Sequence, residues 1–84
     1  MSYIRQLRAN IVAELSKNEM SQTEAGRLLG LPQASFAGRL KGRTPFRIHE
    51  LLILAHALDV SVDALLHGVE EEWQADQTDD LAVS

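Results

Sequence analysis

Apolar residues recur at helical spacing through most of the chain and mark out five segments. Ile4, Leu7, Ile11, Val12 and Leu15 form the apolar side of an amphipathic helix over Tyr3 to Ser16, with Arg5, Arg8, Asn10 and Glu14 on its other faces. Lys17-Asn18-Glu19 is polar and rich in turn formers, which ends that pattern. Ser21 then precedes Glu24 by three residues, the spacing at which a serine oxygen takes an orphan amide while the glutamate reaches back to the cap. A second helix is therefore expected over Gln22 to Leu29. Gly30 closes it, because glycine enters the left-handed conformation without strain. Pro32 has no amide donor to lose at a helix start, so a third helix is expected from Gln33 to about Lys41, stopping at Gly42.

Thr44-Pro45 gives a further start signal for a fourth helix running to Leu58. Its Ile48, Leu51, Leu52, Leu54, Ala55 and Leu58 cover more than one stripe, which predicts a central and largely buried element. Asp59-Val60 is a turn, and Ser61 caps a short last helix with Asp63 in its first turn, where a negative charge suits the helix dipole. Val62, Leu65 and Leu66 are its apolar face, and Gly68 ends it. No strand pattern and no internal repeat competes with this reading. The expected fold is all-α, a compact five-helix domain over residues 1–68.

Residues 69–84 break the pattern. They are acidic and polar, with isolated apolar residues Val69, Trp73, Leu81 and Val83. The segment reads as a solvated, partly disordered acidic C-terminal tail. The four-residue spacing of Val69 and Trp73 allows one further helical turn, packed on the body or on a second subunit.

Charge changes the picture more than composition does. The chain of 84 residues carries a net charge of −4, yet Glu70, Glu71, Glu72, Asp76, Asp79 and Asp80 all lie in the tail, which has no basic residue. The remaining body is weakly basic, at +2. Within it, Ala25 to His49 contains no acid and five bases: Arg27, Arg39, Lys41, Arg43 and Arg47. Phosphate responds to the local field rather than the total. A short helix with polar side chains at its tip, set in a purely cationic stretch, suits the major groove of DNA.

Several classes are disfavoured. With no cysteine, neither disulfides nor a thiolate metal site holds the fold, and a cytoplasmic chain is expected. The amino-terminal stretch is charged too often for a signal peptide, and no apolar run approaches the roughly 18 residues of a membrane span. His49 and His56 are seven residues apart on one helix, too far for one metal to bridge, and His67 stands alone. No nucleophile elbow or phosphate-binding glycine loop is present, so no enzyme, cofactor or small-molecule ligand is expected.

Five helices with this spacing resemble the Cro/repressor-type (XRE, lambda-repressor-like) helix-turn-helix family of phage and bacterial regulators. The likeness covers about residues 7–67 and rests on MSQ at 20–22, Gly30 eight positions after Gln22, LPQAS at 31–35, Gly42, and LLILAHALDVSVDALL at 51–66. Ala25-Gly26 supplies the small residues that two steeply crossing helices need where they touch, with Leu29, Leu31 and Phe36 turned to the core. Two positions depart from the family pattern. Arg39 replaces a large apolar residue, and Leu40 replaces a glutamate, which removes a structural ion pair. Leu40 is expected to point inward, and Arg39 to lay its stem on the core while its charge reaches out. Pro45 falls one position early, leaving the start of the fourth helix open.

The resemblance implies a small regulator that binds double-stranded operator DNA with the third helix in the major groove. Gln22 would contact a phosphate, aided by free helix amides, or else merely complete a cap. Gln33 would pair with an adenine edge, with an ordinary exposed glutamine as the plain alternative. Ala34 and Ser35 follow on the leading end, as base or phosphate contacts or as neutral spacers. Gly38 lets the backbone approach a partner surface, unless its face is simply exposed. Lys41, Arg43 and Arg47 would clamp the phosphate backbone, and Arg39 is structural, reading, or both. The short side chains at Ala34, Ala37 and Gly38 give few direct base contacts, so DNA shape is expected to share in specificity. A homodimer on half-sites about 34 Å apart is expected, with Leu65, Leu66, Val69 and Trp73 as its interface. The rival reading is an antitoxin-like or adaptor protein that keeps the same scaffold for a protein partner.

Overall fold

The computed structural model describes the backbone of residues 2–83 and the side chains of residues 2–77, so the apolar positions Leu81 and Val83 lie outside the described side chains. The described residues are all-helical, in the order α1 (Ser2–Lys17), α2 (Gln22–Leu28), α3 (Gln33–Leu40), α4 (Ile48–Ala57), α5 (Val62–Leu65) and α6 (Val69–Val83). The first five match the apolar pattern, whereas the sixth replaces the expected tail.

The core gathers one stripe from each of α1 to α5. Ile11 and Leu15 of α1 meet Ala25 of α2, Phe36 and Leu40 of α3, Leu51, Leu54, Ala55 and Leu58 in and just after α4, and Leu65 of α5. Leu7, Met20, Leu29, Phe46, Val60 and Val62 pack around this centre. Phe36 sits at its middle, fully buried, with its ring edge-on to Phe46 at 5.9 Å between centroids.

The junction of α2 and α3 is tight for a local reason. The Leu31 amide donates to the Gly26 carbonyl at 2.8 Å, and Gly30 takes the left-handed conformation (φ +70°) that turns the chain. A Cβ on Gly26 would stand 2.9 Å from the Leu31 carbonyl oxygen and 3.4 Å from the Phe36 Cβ. That glycine is what allows α2 to approach the turn and α3 so closely. At the start of α2, the Ser21 hydroxyl oxygen accepts from the Glu24 amide at 3.1 Å, as its capping position predicts.

Three expectations need correction. First, α4 starts at Ile48 rather than at Pro45, because the Glu50 carboxylate accepts the Arg47 amide at 2.8 Å and fixes the first turn there. Second, α4 is not buried all round. Only Leu51, Leu54, Ala55 and Leu58 can face the core together, which leaves Ile48 (77 % exposed) and Leu52 (51 %) outside. Third, residues 69–83 are not a disordered tail. They form a helix against α1, and the Asp76 carboxylate accepts the Tyr3 amide at 3.4 Å, satisfying one free donor at the start of α1.

A polar tie joins α1 to the end of α5. The Asn10 amide donates to the Leu65 and His67 carbonyls, at 2.9 and 2.8 Å, and so takes up groups left free where α5 ends. Gln6 in turn donates to the Asn10 side-chain oxygen at 2.9 Å, orienting that amide.

Candidate nucleic-acid interface

The helix α3 has two unlike sides. Phe36 and Leu40, four residues apart, enter the core, as expected for Leu40. Gln33, Ala34 and Ser35 are exposed at its leading end. Neither Gln33 nor Gln22, the first residue of α2, spends its amide on a side-chain hydrogen bond among the described residues. The cap at α2 is made by Ser21, so Gln22 is not required for it. A Cβ on Gly38 would meet nothing within 4 Å, so the fold itself makes no demand for glycine there and the half-buried backbone faces open space.

Arg39 departs from the expectation. Its charge does not reach out into solvent but forks onto Glu50, with Nε donating to Oε1 at 2.8 Å and Nη2 donating to Oε2 at 3.0 Å. The side chains of Arg39 and Glu50 are only 11 % and 4 % exposed. Glu50, the one buried charged residue among those described, was absent from the candidate residues. A glutamate at the third position of α4, eleven residues after an arginine on α3, is a signal that becomes readable only once the helices are known to touch. Burial pushes the Glu50 carboxyl up, but the Arg39 hydrogen bonds, the Arg47 amide and the positive charge of Arg39, with a contribution from His49, hold it below the ordinary glutamate value. The ion pair thought lost at Leu40 is thus present between different residues, and it pins α3 to α4.

The other cations are differently placed. Lys41, Arg43 and Arg47 are exposed and make no ion pair among the described residues. Lys41 follows the last turn of α3, and Gly42 (φ +81°) lies directly against Ile4 of α1. That contact brings in two bases that the sequence left on a remote helix. Arg5, Arg8 and Lys41 line one small cleft together with Ile4 and Gly42.

The expected dimer residues divide. Leu65 is fully buried in the core of the single chain and is not an interface residue. Leu66 (38 % exposed) and Trp73 (47 %) are accessible, and with Val69, Tyr3, Asp63 and Glu70 they line a groove of about 500 Å³ between α1, α5 and α6. His49, His56 and His67 are all exposed. No helix among the described residues is long and apolar enough to cross a membrane. Comparison of the chain with protein-family models, curated proteins and solved structures finds no match.

Proposed function

We propose that the protein is a sequence-specific double-stranded DNA-binding transcriptional regulator of the Cro/repressor helix-turn-helix type, acting as a two-fold dimer with α3 in the major groove. The observation that carries this reading is the division of labour on one short helix. Phe36, Leu40 and the Arg39–Glu50 fork fix α3 to the body, while Gln33, Ala34 and Ser35 stand free at its tip. Lys41, Arg43 and Arg47 flank the helix as exposed, uncommitted cations suited to phosphate contacts. In this reading Gln22 and Gln33 contact DNA, Arg39 positions the reading helix, and Leu66, Val69 and Trp73 form the protomer contact.

The test begins with selection of a preferred duplex from a random pool. Gln33→Ala should then lose about 1–3 kcal/mol of discrimination at one base pair of each half-site while non-specific binding persists. A pool that yields no preferred sequence, or a Gln33→Ala protein that discriminates as well as its parent, defeats the assignment.

A protein-partner adaptor is the second reading, favoured by the Tyr3, Leu66, Val69 and Trp73 groove and by the exposed Ile48 and Leu52 on α4. Mobility shifts across salt separate the two. A phosphate binder weakens steeply as salt rises, whereas an adaptor retards no duplex at any salt.

A further inference from the structure

We infer that α1 takes part in DNA binding, through a phosphate clamp built from Arg5, Arg8 and Lys41. The inference rests on the DNA-binding reading above and adds to it an element outside the α2–α3 unit. The cleft between α1 and the end of α3 has a volume of about 210 Å³ and is lined by Ile4, Arg5, Arg8, Lys41 and Gly42, with no carboxylate among its walls. Three cations converge there, and none of them is paired with an acid among the described residues.

Their convergence is fixed by packing rather than by chance rotamers. A Cβ on Gly42 would stand 2.8 Å from the Ile4 Cγ2, so the chain leaving α3 runs hard against α1, one residue from Arg5. The first turn of α1 is also held by Asp76 on the Tyr3 amide. One acid, Glu72 of α6, shares a groove with the two arginines. That groove is separate from the cleft and is lined also by Ser2, Gln6, Ala9 and Val12. Neither guanidinium is committed to that carboxylate.

The spacing suits a duplex. Lys41 lies eight residue steps beyond Gln33 along α3, which at 1.5 Å each is about 12 Å. The major groove is about 12 Å wide, so a helix tip at the base edges places its other end near the phosphates of the groove wall. Arginine is the apt residue there, since its planar fork grips two phosphate oxygens at once.

The experiment is a salt titration of binding to a mixed-sequence 20-base-pair duplex, comparing the parent protein with Arg5→Ala, Arg8→Ala and the pair of changes. Lys17→Ala, which loses an exposed lysine paired with Glu14, is the control. Each arginine change should lower the slope of log K against log salt by about one, with the control unchanged. Arg5→Lys and Arg8→Lys keep the charge and should keep the slope. Alanine variants with the parent slope overturn the clamp and leave the DNA-binding reading standing, as does a lost slope in the lysine variants. A parent protein that retains no duplex even at low salt overturns both.

Discussion

Glu50→Ala is expected to cost about 3–5 kcal/mol of folding stability, because it strands the Arg39 guanidinium in the interior without a partner. In a domain of this size each kcal/mol moves Tm by about 4–8 °C, so thermal unfolding followed by circular dichroism reads the effect directly. Removing both charges together, as Arg39→Met with Glu50→Leu, should restore most of the loss, since packed apolar atoms replace a desolvated pair. That contrast separates the cost of an orphaned charge from the worth of the pair. Stability should also fall in acid. The folded-state pKa of Glu50 lies below its ordinary value of 4.5, so its contribution is complete above that value and disappears as pH drops through the folded pKa. An Arg39→Ala protein that keeps its Tm but loses DNA binding would refute the pinning role and return Arg39 to the groove.

Phe36→Ala should be comparably damaging, at about 3–5 kcal/mol, for a different reason. The ring is fully buried, meets Phe46 edge-on and lies beside the Gly26 backbone, so its removal opens a void that three elements border. Helix α3 is only eight residues long and marginal by itself, and its orientation depends on what Phe36 and Leu40 grip. Under conditions where the variant is still folded, specific DNA binding should therefore weaken more than non-specific binding. Phe36→Leu keeps most of the volume and should lie much nearer the parent in both measurements. Equal loss of specific and non-specific binding in the alanine variant would show that the ring does not set the angle of the helix.

The short helices were legible because their signals are local. Ser21 and Ser61 as caps, Gly30 as a stop and the 3.6-residue recurrence of Ile11, Leu15, Phe36 and Leu40 each depend on a few neighbouring residues. The exposure of Gln33, Ala34 and Ser35 followed from the same periodicity. What could not be read is long-range. Arg39 reads as a charge reaching outward because its partner comes from the next helix, and no local signal marks Glu50 as that partner. Arg5 and Arg8 lie more than thirty residues from Lys41 and meet it only through Gly42 against Ile4. Residues 69–83 have no continuous apolar stripe, so their composition suggested a tail. They are held instead by contact along α1 and by Asp76 on a free amide, neither of which periodicity can register.

The make-up of that outer helix has a further consequence. Among the described side chains none of the buried core belongs to α6, whereas α1 supplies Ile11 and Leu15 to the centre of the bundle. Sub-global openings draw on elements that bury little apolar surface, so α6 is expected to lose amide hydrogen-exchange protection before α1 to α5 do. Such an opening would uncover the amino-terminal turn of α1 and withdraw Glu72 from the groove it lines with Arg5 and Arg8. The surface around Arg5 and Arg8 would then be more cationic, while the net charge of the molecule stays at −4.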